Sequence, residues 1–328
     1  MPSGEDRLIE RFFRPLARHP GALRLLDDAA LITPPIGSEL VMTTDAVIAG
    51  VHFFPDDPAD AIAKKALRVN LSDLAAKGAE PLGCLLTLAL PHNIGDNWVG
   101  MFAEGLSADC NSYGCPLMGG DTDRTPGSLS VSITAIGHVP SGTMLLRSGA
   151  QAGEAIVVTG TIGDAALGLL LRREPELADR IELDPSERAH LIARYLLPEP
   201  RVALAGIIRE LASSAIDISD GFMGDLMKLA AASGVSARVE STRLPLSKAG
   251  SRMLAADSRL IETICTGGDD YEVLASVPTK AVPLLQAAAR DAGVQLTEIC
   301  MTGEGEGVEI IGPNRQPIEF KHPSFSHF

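Results

Sequence analysis

No stretch of ~18 apolar residues occurs anywhere in this 328-residue chain, so no membrane span is expected. Met1 to Arg14 mixes acids and bases without an apolar run, and no signal peptide is expected there. Basic residues are scarce: 28 Lys and Arg stand against 42 Asp and Glu, a net charge of −14. That deficit argues against nucleic acid or an anionic membrane as the main partner. Aromatic residues make up only 4% of the chain while Ala, Leu, Val and Gly abound, which suits α/β layers joined by tight turns. The five cysteines, Cys84, Cys110, Cys115, Cys265 and Cys300, are odd in number and form no Cys-x-x-Cys pair. Reduced, mostly buried thiols in a cytoplasmic protein are the expectation. Also missing are Gly-x-x-x-x-Gly-Lys-Ser/Thr, His-Arg-Asp, Asp-Phe-Gly and His-Glu-x-x-His. These gaps exclude the P-loop, protein-kinase and zinc-protease routes.

What the chain does have is closely spaced aspartate after apolar runs, again and again, in all but the first case with Gly, Ser or Thr close by. The occurrences are Asp27-Asp28, Thr43-Thr44-Asp45, Asn70-Leu71-Ser72-Asp73, Gly119-Gly120-Asp121-Thr122-Asp123, Asp217-Ile218-Ser219-Asp220-Gly221 and Gly267-Gly268-Asp269-Asp270. Any one of them is explained as a turn former or helix cap. Six converging would repel one another unless cations sat among them. Mg²⁺, a hard ion usually held by a few carboxylates plus substrate phosphates, is the expected relief. A metal-dependent phosphate enzyme follows as the working expectation. Arg124 and Arg147 are candidate phosphate clamps, because guanidinium meets phosphate bidentately. His52 reads equally as a ligand contact or a loop histidine with a structural bond, and Gly160-x-x-Gly163-Asp164 as a strand-to-helix turn rather than a phosphate loop.

The length predicts two domains, 1–145 and 146–328, joined near the polar segment 147–153. Short strands are expected at 40–44, 84–90, 128–139, 155–159, 214–218, 235–239 and 273–277. Helices are expected at 60–77, 98–113, 164–172, 222–232 and 279–293, and 185–212 reads as largely helical with breaks at Pro198 and Pro200. Residues 173–184 read as a charged, loop-like insert, and 116–118 as leading into a Gly-Gly-Asp turn.

In order and spacing these acidic blocks resemble the thiamine-monophosphate kinase family. Arg147-Ser148-Gly149-Ala150, Val158-Thr159-Gly160 and Gly267-Gly268-Asp269-Asp270-Tyr271-Glu272 extend the resemblance across residues 27–272, with an aromatic and histidine tail behind. The resemblance implies transfer of the γ-phosphoryl group of ATP to thiamine monophosphate, giving thiamine diphosphate. It implies an α/β (α+β) PurM-like fold, that of the aminoimidazole ribonucleotide synthetase superfamily. There an N-terminal ATP/Mg-binding domain pairs into a β-barrel across a homodimer, beside a C-terminal α/β domain. It also implies Mg²⁺ on Asp28, Thr43, Thr44, Asp45, Asp73, Asp121, Asp217 and Asp220. ATP would meet Gly120, Asp121, Arg147 and Ser219, and thiamine phosphate would meet His52, Asp269 and Phe325. Asp45, Asp73, Asp121 and Asp220 would be the catalytic carboxylates.

Two departures stand out: Arg24-Leu25-Leu26-Asp27-Asp28 where the family has Gly-Ile-Gly-Asp-Asp, and Asp269 where it has Glu. Sibling enzymes of the fold fit less well. A selenophosphate synthetase would need an N-terminal reactive cysteine, and a hydrogenase-maturation carbamoyl dehydratase a C-terminal one. The first cysteine here is Cys84, and the chain ends in Ser-His-Phe. A non-catalytic regulator that binds thiamine phosphates or nucleotide is the reading from another class, favoured only by the Leu25-Leu26 segment.

Overall fold

A computed structural model of the chain describes residues 4–325. Contacts divide the chain into two units, Met1–Leu74 with Ala79–Met144, and Ala75–Gly78 with Leu145–Phe328. The first unit opens with α1 (Gly4–Leu8), a π-helical turn (Ile9–Phe13) and a 3-10 stretch (Pro20–Leu25). Then come β1 (Ser38–Ile48), α2 (Ala59–Ala76), β2 (Glu80–Pro91), α3 (Asp96–Ser112), β3 (Leu117–Thr125) and β4 (Ser130–Pro140). Its sheet has the order β1-β4-β2-β3, with β2 and β3 parallel across the α3 crossover and the other pairs antiparallel.

Strand alternation sends Val41, Val47, Leu86, Leu88, Val131 and Ile133 to the buried face. Phe102 and Leu106 of α3 and Leu67 and Leu71 of α2 are likewise fully buried, each such side chain worth about 1.5–3 kcal/mol of burial. Arg68 of α2 and Asp109 of α3 form a bidentate pair, 2.5 and 2.9 Å, that fixes the two helices in register. The opposite face is open and bears exposed apolar side chains, Leu40 at 46% and Met42 at 68%, with Leu85 on the same face in the row of Thr44 and Thr134.

The second unit runs β5 (Ala155–Thr159), α4 (Asp164–Arg173), α5 (Glu176–Arg180), α6 (Pro185–Leu196), α7 (Ala205–Leu211), β6 (Ser214–Ile218) and α8 (Phe222–Ser233). It continues with β7 (Val235–Glu240), α9 (Lys248–Ala256), α10 (Leu260–Thr266), β8 (Glu272–Val277), α11 (Val282–Asp291), β9 (Leu296–Glu304) and β10 (Gly307–Ile311). The six-stranded sheet is ordered β10-β7-β9-β5-β8-β6, parallel only between β10 and β7. Strands β5, β6 and β8 are buried throughout, because apolar layers cover both faces. One layer includes Leu167 and Leu226, the other Ile208 and Leu285.

Several expected boundaries change. β1 extends far past residue 44 and β3 passes straight through Gly119-Gly120-Asp121, so neither motif is a turn at a strand end. Polar residues continue both strands because the backbone keeps its ladder whichever face a side chain takes: Thr43 and Asp45 fall on the face of Val41 and Val47, where α2 supplies polar partners. The charged insert 173–184 contains α5, and α9 and α10 were not expected at all. Residues 279–281 form a 3-10 turn ahead of α11. All five thiols are free and buried. Contact with Cys110 and Cys115, and burial, push the Cys84 thiol up. Burial raises Cys265, and raises Cys300 to about 12.

Candidate active site

The acidic motifs fall into groups within each unit. In the first, β1 and α2 meet at one point: the Thr43 hydroxyl donates to Asp73 Oδ2 at 2.5 Å, and the Asp45 amide donates to Asn70 Oδ1 at 3.0 Å. Asn70 is itself buried and donates to the Ala66 carbonyl, so it anchors the strand to the helix. Thr43 and Asp45 share a face of β1. Thr44 takes the other, bonding the Ile133 carbonyl and the Thr134 hydroxyl, so its side chain does not join Asp73.

Asp28, Gly120 and Asp121 come together elsewhere in this unit, lining a pocket of about 730 Å³ with Leu25, Thr87 and Ile136. Gly120 is demanded by packing, since a Cβ there would collide with the Leu86 carbonyl. Beside it the β2–β3 register slips between Cys84 and Leu85. Leu23, Arg24 and Leu25 are all left-handed, with φ of 49°, 59° and 53°. Arg24 thus keeps a glycine-like conformation without a glycine, at a cost of about 1–2 kcal/mol.

Two candidates in this unit hold local structure. His52 Nδ1 accepts from the Ile48 amide at 3.1 Å, which leaves the ring proton on Nε2. Arg124 Nη1 donates to the carbonyls of Pro91 and Ile94 at 2.9 and 3.2 Å, which ties this exposed guanidinium to the end of β2.

In the second unit three segments are stitched by main-chain bonds. The Asp269 amide donates to Ser219 O at 2.9 Å, the Tyr271 amide to Ile218 O at 2.8 Å, and the Phe325 amide to Asp220 O at 2.9 Å. Ser219, Asp220, Asp269 and Phe325 are therefore neighbours, although up to 106 positions apart (325 − 219 = 106). Asp269 and Tyr271 have φ of 72° and 51°, and the Tyr271 hydroxyl donates to Asp269 Oδ1 at 3.3 Å. Asp217 is buried in β6, opposite Val273 of β8. Arg147 lies on the connecting loop, exposed, with its carbonyl taken by Ser233.

The residues that hold this turn were not anticipated. Asp225, in the first turn of α8 and buried, accepts from the amides of Ser219 and Asp220, both at 3.0 Å. Burial raises its pKa, partly offset by Lys228, whose ammonium spans Asp220 Oδ2 at 2.6 Å and Asp225 Oδ1 at 2.8 Å. An acid three places into an expected helix was the available signal, although it reads equally as a dipole partner.

Behind them Asp270 is buried and accepts from the Gly163 amide at 2.7 Å, and burial holds its carboxyl well above the usual range. Gly160 sits against the buried Glu272 carboxylate and the Arg201 guanidinium, where a Cβ would clash. Glu272 also pairs with Arg194 at 3.0 Å. The Gly160–Gly163 segment is accordingly a packed turn whose Gly163 amide is committed to Asp270.

Oxygen donors dominate both groups, which suits a hard cation, yet among the described residues no three His, Cys, Asp or Glu are placed to hold a metal alone. An ion that keeps its waters and arrives with phosphate needs only one or two carboxylates from the protein. The residues fit Mg²⁺ on those terms.

The AIR synthase related protein N-terminal domain family matches residues 26–139, and its C-terminal domain family residues 151–312. Fold and site together define a two-domain AIR synthase-related protein. The chain is 42% identical to thiamine-monophosphate kinase of Caulobacter vibrioides over 94% of its own length and 86% of that protein's. It superposes with a TM-score of 0.83 on the crystal structure of thiamine-monophosphate kinase from Stenotrophomonas maltophilia, at 38% identity over 93% of this chain and 94% of that one. A structure of AaThiL complexed with AMPPCP and TMP matches with a TM-score of 0.76, at 31% identity over 92% and 91%. The chain belongs to the thiamine-monophosphate kinase family.

Proposed function

We propose that this enzyme transfers the γ-phosphoryl group of ATP directly to thiamine monophosphate, yielding thiamine diphosphate and ADP with no phospho-enzyme. The observation that carries the reading is the stitching of segments 218–221, 269–271 and 325 into one acidic turn, in a chain similar over 94% of its length to a thiamine-monophosphate kinase. Phosphoryl transfer asks a protein for positioning and charge neutralisation more than for a covalent nucleophile, and this turn is built for position.

Residues 1–145 would be the ATP and Mg²⁺ domain and 146–328 its C-terminal partner. Asp28, Thr43, Thr44, Asp45, Asp73 and Asp121 in the first and Asp217 and Asp220 in the second are the proposed Mg²⁺ ligands. When bound, Mg²⁺ supplies charge neutralisation for the phosphates. Gly120, Asp121, Arg147 and Ser219 are assigned to ATP. Asp269 and Phe325, held beside Asp220, are assigned to the thiamine phosphate, as is His52. The open apolar face of Leu40, Met42 and Leu85 is the surface a second copy of the chain would cover, and sedimentation would show the dimer.

Purified protein incubated with Mg·ATP and thiamine monophosphate should yield thiamine diphosphate by chromatography, and EDTA should abolish it. Asp220→Asn should lower kcat on the order of 100-fold or more while the melting curve stays in place. A folded Asp220→Asn enzyme at near wild-type rate would remove the metal role of this turn.

A further inference from the structure

The acidic turn of the second unit carries its own cation. Lys228 Nζ lies 2.6 Å from Asp220 Oδ2 and 2.8 Å from Asp225 Oδ1. Its two partners differ in freedom. Asp225 is buried and committed, its other oxygen holding the amides of Ser219 and Asp220. The Asp220 side chain is 44% exposed, and it can exchange its partner without unmaking the turn. An ammonium at 2.6 Å and a divalent ion at about 2.1 Å cannot both occupy one carboxylate oxygen without strong repulsion.

We propose that Lys228 is the resident counter-ion of Asp220: it holds the carboxylate in place in the ligand-free protein and yields it only when a divalent ion arrives with the nucleotide's phosphates. The inference rests on the reading of Asp220 as a metal ligand. Lys228 is a positioning residue acting through Asp220. Its effect is to make the free protein a poor binder of bare divalent ions, so that metal enters together with nucleotide rather than ahead of it. Displaced from Asp220, the ammonium remains tethered to Asp225, so the turn keeps its shape through the exchange.

The test is Mn²⁺ binding to the nucleotide-free protein, with free Mn²⁺ read by electron paramagnetic resonance. Lys228→Met should bind Mn²⁺ on the order of tenfold more tightly than wild type, the scale of one partly screened charge. Lys228→Arg should match wild type, and Asp220→Asn added to Lys228→Met should erase the gain. Melting curves confirm that folded proteins are compared, and Lys228→Gln serves as a second neutral variant if Lys228→Met unfolds. A parallel series with a non-hydrolysable ATP analogue asks whether Asp220→Asn weakens Mn²⁺ binding in the wild-type background. If it does and Lys228→Met still shows no gain, the counter-ion role is overturned and the metal role of Asp220 stands. If Asp220→Asn has no effect there, the metal reading and the counter-ion proposal fall together.

Discussion

Replacing Asp225 by alanine strips the acidic turn of its anchor, and the size of the effect can be worked out from its bonds. Two backbone amides, of Ser219 and Asp220, lose an ionised acceptor at 3.0 Å each. Hydrogen bonds to charged groups are worth about 1.5–3 kcal/mol apiece, a gross loss of ~3–6 kcal/mol. The Lys228 pair adds little, because that side chain is 38% exposed and well screened. Burial raises the Asp225 pKa, so deleting the carboxylate also returns part of its desolvation cost. The turn is only part-buried, and water can reach the freed amides. A net destabilisation of about 2–3 kcal/mol follows. Urea denaturation followed by circular dichroism measures it, and steady-state kinetics on the same preparation should show kcat falling, since Asp220 loses its fixed backbone. Asp225→Asn keeps one oxygen able to accept both amides and should recover about half the stability. An Asp225→Ala protein within about 0.5 kcal/mol of wild type, at unchanged kcat, would refute the anchoring argument.

Gly120→Ala forces a Cβ against the Leu86 carbonyl and should push β3 off β2, costing about 1–3 kcal/mol and displacing Asp121; an unchanged melting curve would contradict the packing account. His190 and Asp164 pair at 2.9 Å. The hydrogen bond to Asp164 raises His190, partial burial opposing it, while in Asp164 burial is outweighed by bonds from His190, Ser247 and Thr161, which lower it. A raised histidine stabilises fully below its unfolded pKa and loses this as pH climbs through the folded one; a lowered aspartate stabilises above its unfolded pKa and loses this as pH falls through its folded one. The pair therefore contributes most between about pH 4 and 6.5. The melting difference between wild type and His190→Ala should be largest near pH 6 and shrink towards pH 9, and a difference constant with pH would rule the pair out. Glu272→Ala leaves Arg194 and Arg201 without their buried partner and should destabilise by about 3–5 kcal/mol, read by denaturant titration.

Elements with strong periodicity were legible from sequence: α2, α3, β4, β5 and β6 fall within a few residues of where alternation or helical spacing put them. The acidic strands were not, because a polar side chain within a strand looks like a turn residue when only the one-dimensional pattern is read. α9 was missed although Ser247 caps it, accepting from the Gly250 amide, with Ala249 and Met253 buried one turn apart. The acidic motifs were visible as residues, but their partners were not. Asp225 acts backwards on Ser219 and Asp220 through the helix entry, and Lys228 reaches across two turns. Only three-dimensional closure shows that Gly160 and Gly163 serve Glu272 and Asp270. Arg124 shows the same limit, since its Nη1 holds the carbonyls of Pro91 and Ile94, a contact that sequence cannot reveal.

The five buried thiols have a practical consequence for spectroscopy. A thiol reacts with maleimide as thiolate from an accessible position, and here every sulfur is enclosed, with Cys84, Cys265 and Cys300 also held in the protonated form. A maleimide reagent near neutral pH should therefore leave the native chain unlabelled, which mass spectrometry checks directly. A single cysteine placed at an exposed position would then carry a fluorophore or spin label alone. Met42, out on the open face of β1, is such a position. A dye there would brighten or shift when another surface covers that face, turning the chain's own cysteine economy into a reporter of assembly.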